Sequence, residues 1–205
     1  MIVKVCGLRD PENIRAVDRL AVDLCGFIFY PRSSRCVPDD ELHAEAVRSC
    51  RKPAAGVFVD ASPAEMLRTA GRFGLGWLQL HGDESPEACG ELRQRGFRII
   101  KAIRVAAAAD LAAARAYEDC ADYLLFDTRC DGYGGSGRRF DWRVLDAYTG
   151  RVPFLLSGGI DAGCADAVRG FAHPRFAGVD LNSGFETAPA VKDAGKLEEF
   201  IAKIQ

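Results

Sequence analysis

The chain has 205 residues with 29 acidic against 27 basic side chains, 48% apolar and 9% aromatic residues, which is enough apolar material for a sizeable core. A formal charge of −2 provides no basic field for gripping a phosphate backbone, so nucleic acid is excluded as an expected partner. Eight cysteines, none in a C-x-x-C pair, predict reduced thiols and a cytoplasmic location, and no run reaches the ~18 apolar residues of a membrane span or resembles a signal-peptide core.

In chain order, the first buried-strand pattern is Ile2–Cys6. Asp10-Pro11 follows as the cap and first turn of a helix carrying Ile14, Val17 and Leu20. A second strand over Cys25–Phe29 leads into a predicted helix spanning Asp39–Lys52, acidic at its start and basic at its end, with Leu42, Ala46, Val47 and Cys50 on one face. Ala55–Val59 is the third strand, and Ser62-Pro63-Ala64-Glu65 after it has the form of a capping box. Trp77–Leu80 precedes Ser85-Pro86-Glu87, a second start signal of the same kind. Arg98–Ile103 is the fifth strand, and the alanine-rich stretch Ala106–Ala116 reads as a surface helix. Tyr123–Asp127, Phe154–Ser157 and Phe176–Leu181 complete the strands, with Asp141 and Asp193 placed to start further helices.

Strict alternation of strands and helices with short connections implies parallel pairing, because a parallel neighbour is reached only through a crossover. Eight such units at about 26 residues each, with no strand polar enough to be an edge, predict an α/β fold of one domain over residues 1–205: a closed (β/α)8 barrel, the TIM-barrel architecture. An open doubly wound sheet is the alternative.

In such a barrel the C-terminal strand ends line the mouth where ligands bind. They are polar here: Cys6, Asp60, Gln79 with His81, Asp127, Ser157, and Asp180 with Asn182. Glycine-bearing turns follow the last three strands at Gly132–Gly137, Ser157-Gly158-Gly159 and Asn182-Ser183-Gly184, and together they suggest a phosphate cradle of backbone N–H groups. The first also fits G-x-G-x-x-G, but the loop Thr128–Asp131 separates it from its strand, which argues against a dinucleotide site. Cys6 and Asp127, on strands 1 and 6, are the candidate base and acid; the base needs its thiol pKa lowered and the acid needs its own raised. Packing of a small thiol and a turn cap are the competing readings of these two residues. Arg32 and Arg35 could fork around a substrate carboxylate or phosphate.

These residues resemble the phosphoribosylanthranilate isomerase family of tryptophan biosynthesis over nearly the whole chain. The resemblance rests on Lys4-Val5-Cys6-Gly7-Leu8, Gly26–Pro31 with Ser34-Arg35, Gly56–Val59, Gln79-Leu80-His81-Gly82-Asp83-Glu84, Asp127 with Gly134–Gly137, Phe140-Asp141-Trp142, Ser157-Gly158-Gly159, Gly178-Val179-Asp180, Ser183-Gly184, Glu186 and Lys192-Asp193. It implies an Amadori rearrangement of N-(5-phosphoribosyl)anthranilate with Cys6 as general base, Asp127 as general acid and Arg35 holding the anthranilate carboxylate. Gly135, Gly137, Gly158, Gly159, Ser183 and Gly184 would bind the phosphate, and Gln79, His81 and Asp180 would line the substrate site. The expected partner is this small phosphorylated molecule, with no cofactor and no metal, in a monomer or homodimer. Cys36, Asp60, Ser157, Asn182 and Ala190 depart from the pattern expected of the family, none of them at the acid, the base or Arg35. Three alternatives fit less well: the related aminoaldose isomerase of histidine biosynthesis, whose pattern is a pair of aspartates in a two-fold repeat where this chain has Cys6 and no repeat; indoleglycerol-phosphate synthase, for which Lys101 alone does not suffice; and a barrel that binds a phosphometabolite without turning it over, against which both Cys6 and Asp127 are present.

Overall fold

A computed structural model describes residues 1–128 and 141–205. All eight apolar runs form strands: β1 (Ile2–Val5), β2 (Leu24–Ile28), β3 (Ala54–Phe58), β4 (Trp77–Leu80), β5 (Arg98–Val105), β6 (Tyr123–Thr128), β7 (Phe154–Leu156) and β8 (Phe176–Leu181). Each pairs in parallel with its sequence neighbours, and β8 returns to pair with β1 over Ile2↔Gly178, Val3↔Val179, Lys4↔Asp180 and Val5↔Leu181. The sheet therefore closes into the expected (β/α)8 barrel.

Helices α1 (Pro11–Asp18), α2 (Glu41–Arg48), α3 (Pro63–Phe73), α4 (Pro86–Gln94), α5 (Ala165–Gly170) and α6 (Ala194–Ile204) lie between and after the strands. Their starts are where the sequence places them. Asp10 accepts the N–H groups of Glu12 and Asn13, Ser62 that of Glu65, Ser85 that of Ala88, and Asp193 that of Lys196.

Three expectations are corrected. The helix predicted over Asp39–Lys52 is α2, which ends at Arg48, because the Asp18 carboxylate takes the backbone N–H groups of Arg51 and Lys52, both at 3.0 Å, and pulls the chain out of the helix. The alanine-rich stretch is a 3-10 helix over Ala108–Tyr117. Its buried residues Leu111 and Ala114, and Tyr117 after them, recur every three positions, which is the repeat of a 3-10 rather than an α-helix. Asp141 caps a short 3-10 segment, Trp142–Ala147, instead of an α-helix.

Two-residue alternation sorts every strand into an outer and an inner face. The outer faces pack against the helices in one large apolar cluster, while Leu24, Ala55, Ile100, Ala102, Leu125 and Leu155 form a separate cluster that fills the barrel. Beyond that plug, the inward positions turn polar. At the rim of the β4–β5 wall, buried Lys101 donates to the carbonyls of Leu80 (3.1 Å) and Gly82 (2.6 Å) and to the Glu84 carboxylate (3.1 Å). The other Glu84 oxygen accepts the N–H groups of Asp60 and Gly82, so this pair fixes the loops after β3 and β4. Among the described residues no helix is long and apolar enough to cross a membrane, and all seven described cysteines are free thiols.

Lys101→Met should destabilise the fold by about 3–5 kcal/mol, because it leaves Glu84 buried without its counter-charge. The check is urea unfolding, where the midpoint should fall with little change in slope.

Candidate active site

The C-terminal end of the barrel holds an open cavity. Cys6, Gln79, His81, Asp127, Ser157, Gly158, Gly159, Asp180, Asn182, Ser183 and Gly184 all line it, with Ile28, Val57 and Val59 as an apolar wall. Of the residues expected at the site, Gly135 and Gly137 lie outside the described residues, as does the whole glycine turn 132–137. Asp60 does not join the site: it is exposed, and its carboxylate accepts the N–H of Asp83 at 2.7 Å. Arg32 is exposed at the surface and forms no fork with Arg35.

Cys6 ends the inward row of β1, with its N–H donated to Leu181 on β8 at 2.8 Å. Two positions before it on the same face is Lys4, fully buried, whose ammonium donates to Asp180 Oδ1 at 2.7 Å. Ser157 Oγ lies 3.4 Å from the other Asp180 oxygen. Asp180 thus borders the cavity as the counter-ion of Lys4, and only its second oxygen is left to face a ligand. Burial pushes the Cys6 thiol above the ordinary thiol range; Lys4 and Lys192 pull it down, but Asp180 opposes them. The lowering that a general base needs is therefore not supplied by these cations alone, because desolvation outweighs them. Burial also pulls the Lys4 ammonium down, yet Asp180 and Cys6 hold it above the usual lysine value.

Asp127 stands on β6, three strands from β1 by the short way around the ring, so carboxyl and thiol enter the cavity from different walls. Its Oδ1 accepts the N–H of Thr128 at 2.9 Å, and its Oδ2 lies 3.4 Å from His81 Nε2. The other ring nitrogen of His81 is 2.7 Å from the amide nitrogen of Gln79. Because an amide nitrogen can only donate, His81 Nδ1 accepts, and Nε2 carries the hydrogen toward Asp127. Gln79 Oε1 is buried with no hydrogen-bond partner. The strand-end glycine Gly158 has φ of +81°, and a Cβ there would lie 2.7 Å from Asp127 Oδ1. Glycine is required where β6 and β7 deliver the acid and the turn side by side.

Arg35 sits at the mouth beside Gly7, half-buried. Its guanidinium is gripped by Glu186 in a fork, Nε to Oε1 at 2.8 Å and Nη2 to Oε2 at 2.6 Å. Glu186 opens a hairpin that the sequence reading did not anticipate, β9 (Glu186–Ala188) with β10 (Val191–Lys192), in which Lys192 pairs with Glu186 across the strands. The Lys192 ammonium donates to Glu186 at 2.6 Å and to Asn182 Oδ1 at 2.7 Å. Burial alone would raise the Glu186 carboxyl, but Arg35 and Lys192 bring it below the usual carboxylate range. Lys4, Glu186 and Lys192 are site residues missed as such in the sequence. The signal available for Lys4 was its place two residues before Cys6 in an apolar strand.

A parallel barrel with an acid, a thiol and glycine turns around one C-terminal cavity is a (β/α)8-barrel enzyme equipped for proton transfer. The sequence model of the N-(5'phosphoribosyl)anthranilate (PRA) isomerase family matches residues 3–203, and the chain belongs to that family. The N-(5'-phosphoribosyl)anthranilate isomerase of Parabacteroides distasonis is 52% identical over 207 residues, covering 100% of this chain and 93% of the relative. The crystal structure of phosphoribosyl anthranilate isomerase from Thermotoga maritima superposes with a TM-score of 0.83 at 31% identity, covering 100% of this chain and 98% of that one. A further solved isomerase, in complex with reduced 1-(o-carboxyphenylamino)-1-deoxyribulose 5-phosphate, has a TM-score of 0.80 at 28% identity, covering 100% and 98% of the two chains.

The hydrogen-bond order predicts that His81 is the Nε2–H tautomer in the ligand-free protein. The chain has only 3 histidines, so the ¹⁵N spectrum of the imidazoles checks this directly. An Nδ1–H pattern would mean that the Gln79 amide is turned around, with Oε1 accepting from the ring.

Proposed function

We infer that this chain catalyses the Amadori rearrangement of N-(5-phosphoribosyl)anthranilate to 1-(2-carboxyphenylamino)-1-deoxyribulose 5-phosphate. The observation that carries the reading is the convergence of Cys6 and Asp127 on one cavity that also receives the two described glycine turns. Asp127 donates a proton to the ribose ring oxygen; the C1–O bond breaks as the nitrogen lone pair forms C1=N. The Cys6 thiolate then removes the C2 proton, the electrons of that bond form C1=C2, and the C1=N pair returns to nitrogen. The enolamine takes a proton at C1 and loses one from the C2 hydroxyl, giving the ketone. One acid and one base suffice, and each contributes about 10²–10⁴-fold in such reactions.

The remaining acceleration comes from holding both ends of the substrate. The backbone N–H groups of Gly158, Gly159, Ser183 and Gly184 face the phosphate. Arg35, with Nε and Nη2 engaged by Glu186, presents its Nη1 edge to the anthranilate carboxylate. Gln79 Oε1, buried and without a partner, is ready to accept from a substrate hydroxyl or the anilino N–H. A histidine-pathway isomerase is disfavoured by the family match, and a purely binding barrel by the presence of both proton-transfer groups in the cavity.

Turnover of freshly prepared phosphoribosylanthranilate, followed by loss of its fluorescence, tests the reading. Cys6→Ser and Asp127→Asn should each lower kcat by about 10²–10⁴-fold. Unchanged turnover in either variant would remove that residue from its role. Arg35→Met should weaken kcat/KM by about 10- to 150-fold, equivalent to a charge-assisted hydrogen bond of about 1.5–3 kcal/mol, chiefly through KM.

A further inference from the structure

A proton acceptor that burial pushes toward its protonated form needs something to stabilise its anion, and the inner face of β1 supplies it. Lys4 is not part of the cavity wall, so it makes no contact with a ligand there. Its ammonium is buried between two anionic or potentially anionic groups: Asp180 Oδ1 at 2.7 Å, and the Cys6 sulfur, whose charged form it favours. Gly26 on β2 makes room for this meeting. A Cβ at Gly26 would lie 2.9 Å from Cys6 Sγ and 3.1 Å from Lys4 Nζ, so any side chain there would occupy the space that the two share.

Resting on the reading of Cys6 as the base, we propose that Lys4 is its positioning residue: a buried counter-ion for the thiolate, whose charge Asp180 divides between carboxylate and sulfur. The neutral state is an ammonium–carboxylate pair beside a thiol. When the thiol loses its proton to solvent, the same ammonium faces two anions, and when Cys6 accepts the C2 proton the original pair is restored. Lys4 itself transfers no proton in either step.

The other charges facing the sulfur are Lys192 on the β9–β10 hairpin and Arg35 in the loop after β2. Both are committed to Glu186, at 2.6 Å through Lys192 Nζ and at 2.6 and 2.8 Å through the Arg35 fork. Lys4 differs from them in lying on the same strand as Cys6, locked by the β1–β8 register. Its removal takes away the cation beside the sulfur, and leaves burial and Asp180 both opposing thiolate formation. Replacement of Asp180 by a neutral residue does the reverse, leaving the full charge of Lys4 to the sulfur. A merely structural pair would respond in the same direction to both changes.

The experiment measures the pH dependence of Cys6 alkylation by iodoacetamide, resolved from the other cysteines by peptide mass spectrometry, in wild type, Lys4→Met, Lys4→Arg and Asp180→Asn. Lys4→Met should displace the profile to higher pH and slow alkylation at pH 8 by about tenfold or more, since an opposite charge this close commonly moves a pKa by about 1–3. Asp180→Asn should displace it to lower pH, and Lys4→Arg should restore most of the wild-type profile. Shifts of the same sign in Lys4→Met and Asp180→Asn, or an unmoved profile in a folded Lys4→Met, would overturn the proposal. If Lys4→Met does not fold, the direction of the Asp180→Asn shift still decides. Turnover of phosphoribosylanthranilate by Cys6→Ser separates the two readings. Persistent activity there refutes Cys6 as the base, whereas a dead Cys6→Ser beside an active Lys4→Met with an unchanged thiol refutes Lys4 alone.

Discussion

The pairing of β1 with β8 is the constraint on which the rest depends, because it closes the barrel and fixes which residues of β1 look inward. In that register Lys4 lies opposite Asp180, and the two-residue repeat then turns Cys6 inward one layer higher. A slip of one residue would send lysine and thiol outward into the apolar layer beneath the helices, stranding an ammonium there. The ion pair and the site therefore specify the same register. Closure and chemistry are consequences of a single alignment.

Two other buried lysines repeat the arrangement of an ammonium shared between a carboxylate and further acceptors, each at a different depth. Lys101 and Glu84 stand on the outer side of the β4–β5 wall and gather four backbone groups. Lys192 and Glu186 stand at the mouth, where the hairpin after β8 reaches across to Arg35. Such pairs contribute little net stability relative to apolar packing, since desolvation offsets most of the attraction. Their value here is directional: each fixes a loop or a rim residue that no apolar contact could orient.

Much of this was legible in the sequence. The strands announced themselves as apolar runs, the helix starts as Ser-Pro and Asp-Pro caps, and the inward residues at the strand ends as polar interruptions. What escaped has a common cause, in that it depends on partners distant along the chain. The end of α2 is set by Asp18, more than thirty residues before Arg51 and Lys52. The hairpin after β8 is held in part by Asn13, which bonds both the N–H and the carbonyl of Lys192 at 2.8 Å. Glu186 belongs to the family pattern in the sequence, but its partner Arg35 is 151 residues away along the chain and is brought to it only by the fold. Likewise, Lys4 could be placed on the inner face by counting, but its partner Asp180 could be assigned only once the ring had closed.

The 3-10 segment between β5 and β6 bears on how short a chain can enclose such a barrel. A 3-10 helix advances about 2.0 Å per residue against 1.5 Å for an α-helix, so the ten residues Ala108–Tyr117 stretch as far as roughly thirteen in α form. The narrower rod needs only small side chains against the sheet, which is what an alanine-rich stretch provides. Slender, drawn-out crossovers of this kind let a polypeptide near the lower limit for the architecture complete its full circuit of eight strands.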